Sequence, residues 1–428
     1  MEQKNESKIN MPSDDNFYYF PLPPVFTQNI EIENQLIDKL ILESSELEND
    51  IVASVCSDLS ALNFKFSYEN GKFQFENSAL DLNDKDFIRN LMLPRKEEII
   101  QKNTNFIYKN RDIFTKNIAN GHDCLNSDIS PVIEVCETQK QRDLFRMLRY
   151  TWSSPYSEYV GRRIKFIIRD SAIDYKPVIG IAAIGSSIIR IPERDEFIGW
   201  NTETKNKNIV YCMDLYVCGA IPPYSYLLGG KLIAYMMASK EIIEIFKNRY
   251  LNQTTIINKR QSSRLAAIFT TSLYGKSSQY NRIKYNGELL YKRIGQTKGY
   301  GTFQFSERTK ELLKNLLKAK EGNVGYKFGD GPNYKFRFIK KALKFLENFG
   351  FNPNFILNHS IKRDIYYVPL AYNSLDFLNG RADELEYFNY NKDDLIEYWK
   401  KRWLDGRKNN PKVIENVLSF SPENFSIL

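Results

Sequence analysis

Lys276, Ser277, Ser278, Asn281 and Arg282 fall within seven residues of the run TTSLYGKSSQYNRIKY. Two cations, two hydroxyls and an amide at that spacing are groups that bind phosphate oxygens and sugar edges. A strand ending at this run and a helix over Ser278–Tyr285 would set Ser277 and Ser278 at a helix N-terminus. There, unpaired N–H groups and the positive dipole end attract an anion. Arg282 would lie one turn after Ser278 on the same face. The plainer reading is a serine N-cap and a solvated arginine. A second such element is IPPYSYLLGGKL, where Gly229 and Gly230 open a helix with bare backbone and Lys231 adds a point charge. The same glycines would equally let a helix pack close on a strand.

Further basic groups follow in separated clusters. RIPERDEFIGW holds Arg190, Arg194, Asp195 and Trp200, and IGQTKGYGTFQF holds Lys298 and Tyr300. KFGDGPNYKFRFIKKAL carries Lys335, Arg337, Lys340 and Lys341, and HSIKRDIYY carries His359, Lys362 and Arg363. Lysine and arginine neutralise phosphates, and Tyr280, Tyr300 and Tyr334 are aromatics of the kind that stack on bases. Metal-dependent hydrolysis would need clustered carboxylates around Mg²⁺. Asp195 and Asp214 are the candidates, and Asp214, inside an apolar strand, requires a salt bridge or a metal there. Two histidines, His122 and His359, are too few for a histidine-based centre. Five cysteines without a C-x-x-C pair do not read as a structural zinc site.

The charge is uneven along the 428 residues. Residues 1–94 carry 17 Asp/Glu against 7 Lys/Arg, whereas residues 95–428 carry 35 against 53. A basic body of that kind suits a polyanion, and an acidic segment could mask it or bind a basic partner. No apolar run is long enough to span a bilayer, and the polar N-terminus does not read as a signal peptide. The expectation is a cytoplasmic protein without a membrane partner.

Hydrophobic spacing supplies the elements that must position these groups. Ile30–Leu62 has helical periodicity, and FKFSYENGKFQFEN reads as a hairpin turning at Asn70-Gly71. Pro94 marks a boundary, and a basic helix after it stops at Gly121. Strand Pro131–Cys136, helix TQKQRDLFRMLRYTW and strands GRRIKFIIRD, KPVIGIAAIGSSIIRI and IVYCMDLYVCGAI come next. The glycine loop then leads into helix GKLIAYMMASKEIIEIFKNRY. A strand at Arg264–Thr271, the short helix at Ser278 and two strands in LLYKRIGQTKGYGTFQF follow. The C-terminal region is mostly helical, with a helix from Ser306, the helix NYKFRFIKKALKFLENFG, a strand in IKRDIYYVPLAY and a last helix DDLIEYWKKRW. This predicts an α/β (α+β) fold of three regions. Residues 1–94 form an acidic N-terminal α+β region, 95–305 a twisted mixed sheet flanked by helices, and 306–428 a basic C-terminal region.

That element order resembles the acyltransferase-type GNAT fold, in which a loop after the fourth strand holds the cofactor pyrophosphate. Its pattern, Arg/Gln-x-x-Gly-x-Gly/Ala, meets Tyr226 and Lys231 here, so the resemblance departs from the family at two of three positions. A broader resemblance covers Glu134 to Trp403. MDLYVCGAIPPYSYLLGGKL, TTSLYGKSSQYNRIKY, IGQTKGYGTF, FGDGPNYKFRF and HSIKRDIYYVPLA, in this order, resemble the DruA family of the Druantia anti-phage defence system. The resemblance implies antiviral defence with a helicase and other proteins of that system as partners, and DNA or another nucleic acid as the ligand. It carries no established reaction, so whether the chain is an enzyme stays open. The residues favour nucleic-acid binding without a cofactor. The alternatives are a transferase using an acyl-CoA at Gly229 and Gly230, and a nuclease using Mg²⁺ at Asp195 and Asp214.

Overall fold

Runs of β-branched residues set the centre of the molecule. A computed structural model describes residues 46–61, 64–77, 85–159, 161–254, 261–322, 334–425 and 427. Its main sheet is built from β3 (Pro131–Val135), β4 (Arg163–Asp170), β5 (Val178–Ser186), β6 (Cys212–Ala220), β7 (Ala267–Thr271), β10 (Lys292–Gln296) and β11 (Asp364–Pro369). The spatial order is β10-β11-β7-β6-β5-β4-β3. All neighbours are antiparallel except β6 and β7, which run parallel and pair only at Cys212–Asp214 with Ala267–Phe269. VIGIAAIGS of β5 is buried at every position but the last, because helices cover both faces. One face packs on α8 (Gly229–Met237), α9 (Lys240–Tyr250) and α14 (Lys392–Trp399). The other packs on α3 (Thr104–Lys116) and α5 (Gln139–Tyr150).

A second apolar core joins segments far apart in the chain. It holds α1 (Glu46–Ser60), the hairpin β1 (Phe64–Glu69) and β2 (Lys72–Asn77), and the first half of α2 (Lys85–Lys102). Against them lie α10 (Glu307–Glu321), α11 (Tyr334–Lys344) and Phe351, Ile356 and Ile361. The hairpin turns at Asn70-Gly71, both with positive φ, as the sequence predicts. Carboxylates fasten the lobe: Asp58 accepts the Ser306 N–H at 2.6 Å and pairs with Arg95 at 2.5 Å, and Glu98 accepts the Glu307 N–H at 3.0 Å. Both acids therefore sit at the positive end of α10. Residues 30–45 of the expected first helix lie outside the described residues.

Four local expectations differ from what is seen. Pro94 lies inside α2, which runs through it, and the helix is interrupted instead at Asn103. Gly121 starts α4 (Gly121–Asn126) rather than ending a helix, because the Asn120 side chain caps the Asp123 N–H at 2.8 Å. The run after Ser278 is a turn, not a helix. Ser277 Oγ accepts the N–H groups of Gln279 and Tyr280, competing with helical bonding. The chain then enters the small hairpin β8 (Lys284–Tyr285) and β9 (Glu288–Leu289), with Asn286 and Gly287 at its turn. GTFQF forms turns, and the partner of β10 is the distant β11.

Gly350 shows how closely the lobe is built. Its φ is +92°, and a Cβ there would stand 2.2 Å from the Phe73 carbonyl oxygen. Gly350→Ala is expected to destabilise the fold by about 2–3 kcal/mol, from overpacking and left-handed strain together. Chemical denaturation measures it, and an unchanged midpoint would refute this packing.

Candidate functional site

Beyond Asp214 and Phe269 the parallel pair separates, β6 staying with β5 and β7 with β11. Thr270 Oγ1 spans the apex by donating to the Leu215 carbonyl at 2.8 Å. In open α/β sheets, ligand sites form outside the carboxyl ends of strands at such a divergence. Here the opening continues into a cleft of about 1990 Å³ that runs from the sheet to the second lobe. Its sheet side includes Tyr216, Cys218 and Gly219 of β6 and Thr270–Ser272 at the end of β7. Its far side includes Arg89, Lys310 and α11. Sixteen Lys/Arg line it against three glutamates, Glu158, Glu193 and Glu307.

The basic face of α11 follows from its sequence. Ile339, Ala342 and Leu343 are buried in the lobe core, which leaves Arg337, Lys340, Lys341 and Lys344 at i, i+3, i+4 and i+7 on the cleft side. Lys341 pairs with Glu321. Among the described residues, Arg190, Lys276, Lys298, Lys340 and Lys344 have no carboxylate at ion-pair distance. Tyr300, 48% exposed, also lines the cleft, while Tyr216 carries a buried hydroxyl without a hydrogen-bond partner there.

Most of the residues singled out by sequence converge here. Arg190, Gly230, Lys231, Lys276, Ser277, Ser278, Lys298, Arg337, Lys340, Lys341, His359 and Arg363 all line the cleft. Lys231, however, is buried and spends its ammonium on the Ser278 and Gln279 carbonyls at 2.5 and 3.2 Å, over the Trp403 ring. Burial, with Arg282 and Arg402 nearby, pushes its pKa down to about 8. It is a tether rather than an anion ligand. Gly229 is a packing glycine. Its N–H donates to the Tyr224 carbonyl at 3.0 Å, and a Cβ would meet that oxygen at 2.8 Å. Gly230 faces Gln279.

Other candidates are used structurally. Arg194 is buried and bonded to Asp195 and to the Ile188 and Ile189 carbonyls, and Asp195 also takes Lys205. Asp214 is held by hydrogen bonds rather than a salt bridge, accepting from Ser187 Oγ at 2.5 Å, the Ile188 N–H at 2.8 Å and Tyr159 at 3.3 Å. Burial raises its pKa against those bonds. Among the described residues, no three His, Cys, Asp or Glu side chains gather as metal ligands. Asn281 accepts from the Tyr366 hydroxyl at 2.6 Å. Tyr280 borders the cleft but is buried, with its ring stacked on Tyr291 at 4.9 Å. Arg282 and Lys362 are exposed but lie outside the cleft, and the Tyr334 side chain lies outside the described residues.

Sequence reading missed Lys85, Arg89, Lys102, Arg146, Arg149, Lys310 and Lys344. Lys85 and Arg89, and Arg146 and Arg149, stand one helical turn apart. That spacing was the available signal. Arg149 holds the Ser154 and Pro155 carbonyls at 2.9 and 3.2 Å, and so shapes the wall.

A family model described as Druantia protein DruA matches residues 82–380, a span that includes every residue lining the cleft. The Druantia protein DruA of Escherichia coli (strain UMEA 4076-1) is 35% identical over 336 residues, which cover 77% of this chain and 82% of that protein. No solved structure matches. No helix among the described residues is long and apolar enough to cross a membrane.

His359 is buried rather than surface-exposed, with Nδ1 accepting the Ile361 N–H at 3.1 Å. Burial first, then the Arg363 charge, pulls its pKa down to about 3. A histidine neutral in the folded state and ordinary in the unfolded one stabilises above the unfolded pKa of about 6.5. That contribution is lost as pH falls toward 3. From pH 7 to 5 the loss should be about 2 kcal/mol, and it should vanish in His359→Asn. Denaturation of both proteins at the two pH values checks this. Equal pH dependence would show that His359 takes up a proton as readily in the fold as in the unfolded chain.

Proposed function

The chain belongs to the DruA family of the Druantia anti-phage defence system, and we propose that it acts there by binding nucleic acid in the basic cleft. The observation that carries this reading is the excess of sixteen Lys/Arg over three glutamates around one continuous opening. Size supports it as well, since small-molecule pockets occupy roughly 300–1,000 Å³ and this cleft exceeds that range. The α11 stripe runs for about 14 Å from Lys335 to Lys344, the rise of about four nucleotides of a duplex strand. Its lysines meet phosphates, and Tyr300 offers a ring to a base. The family resemblance supports a helicase of the same system as partner.

A transferase reading has one observation in its favour. Gly229 and Gly230 follow the fourth strand of the main sheet, beside the strand divergence, as a GNAT-like core would have them. Against it, the N–H groups of Gly229 and Lys231 and the Lys231 ammonium already have protein acceptors. Acetyl-CoA is therefore expected to leave the melting temperature unchanged, and a saturable rise would promote the transferase reading.

Binding to labelled DNA and RNA should weaken with salt, with a log–log slope of about −0.9 per neutralised phosphate on duplex DNA. Lys340→Glu with Lys344→Glu should cost at least about tenfold, roughly 1.4 kcal/mol, and flatten the slope. Arg282→Ala, outside the cleft, should bind normally. Absence of binding at low salt, or binding indifferent to salt, would reject the proposal.

A further inference from the structure

Three loops meet on the backbone of Arg363. Its N–H donates to Thr297 Oγ1 at 3.1 Å, and its carbonyl accepts the Thr297 N–H at 2.9 Å. It also forms a parallel bridge with Gly275, whose carbonyl accepts the Asp364 N–H at 3.2 Å. The residues that follow Thr297 and Gly275 are Lys298 and Lys276, so two lysines start beside Arg363, and all three line the cleft. The loops are tightly set. A Cβ at Gly299 would meet Ser360 at 2.8 Å, and one at Gly301 would meet His359 Nε2 at 2.9 Å.

The Arg363 guanidinium has no counter-charge. Among the described residues, no hydrogen bond, ion pair or ring contact engages it. The adjacent carboxylate, Asp364, is already taken by Arg293 at 2.8 Å, Gln296 at 2.9 Å and the Tyr366 hydroxyl at 3.2 Å. Crowding by protein lowers the Arg363 pKa, against the pull of the Tyr274 phenol. A partly buried guanidinium without a counter-charge is unfavourable unless an anion completes it.

We propose that Arg363, Lys276 and Lys298 form a niche for a phosphate monoester, namely the terminal phosphate of a nucleic-acid strand. The strand rests on the nucleic-acid reading above, whereas the phosphate rests on this cluster alone. A terminal phosphate carries about −1.5 to −2 charges, against one on an internal phosphodiester, and so matches a convergence of three cations. The guanidinium fork takes two of its oxygens and the lysines neutralise the remainder. The α11 stripe, by contrast, follows a chain of single charges.

The test compares one oligonucleotide bearing a 5′-phosphate, a 3′-phosphate or hydroxyls at both ends, by fluorescence anisotropy. Wild type should bind a phosphorylated end about tenfold more tightly than the hydroxyl form. Arg363→Gln should lose that preference and bind all three forms about equally, whereas Lys340→Glu with Lys344→Glu should weaken all forms and keep the preference. In parallel, inorganic phosphate should raise the melting temperature of wild type but not of Arg363→Gln, and the variant without phosphate should be at least as stable as wild type. Equal binding of all three ends, with no thermal shift, would overturn the niche while leaving the nucleic-acid reading intact. If no oligonucleotide binds but phosphate still stabilises wild type alone, the niche stands with a small phosphate ester as its ligand. The nucleic-acid reading then falls.

Discussion

The parting of β6 from β7 after three paired residues is the constraint on which the rest of the molecule depends. Parallel strands can separate only if each keeps another partner, because an unpaired strand edge would leave buried N–H and C=O groups unsatisfied. β5 provides that for β6, and β11 provides it for β7. β11 is drawn from nearly a hundred residues downstream of β7, so the route back to it brings loop 297–301, α10 and α11 to the mouth of the opening. The cleft therefore follows from a pairing requirement. The same return path places Arg363, one residue before β11, at that mouth.

Charge is sorted by the same architecture. Several acidic side chains are committed inside the fold. Asp58 and Glu98 cap α10, Asp364 holds Arg293, Asp195 holds Arg194, and Asp170 accepts Ser127 and Tyr224. A carboxylate used at a helix end or in a loop network is unavailable to neutralise a neighbouring surface. The lysines of α11 have an apolar face to anchor their helix and need no acid to do so. The resulting field is a product of packing as much as of composition.

Much of this was legible before the fold was known. Local signals carried well: Asn70-Gly71 specified a hairpin, Ser306 capped α10, and the apolar spacing of β4, β5 and α11 revealed their faces. The DruA resemblance was equally legible, since its motifs keep their order along the chain. The failures share one cause, which is competition from distant partners. Ser278 looked like a helix start until the burial of Tyr280 against Tyr291 and Tyr366 bent that segment into a turn. Lys231 looked like an anion ligand, yet its acceptors lie 47 and 48 residues away. GTFQF reads as a strand because nothing local announces that β10 pairs with Asp364–Tyr367.

Helix α2 has a mechanical consequence. It is about 27 Å long, and its first half (Ile88, Leu91, Met92) is rooted in the lobe while Ile100 is rooted in the sheet body. It is thus a strut bridging the two walls. A strut resists stretching and yields by bending where its internal bonding is weakest. Proline removes one such bond and crowds the preceding turn, so Pro94 is the compliant point of an otherwise stiff member. Widening the cleft would flex this helix, so a thicker ligand would be admitted at that cost.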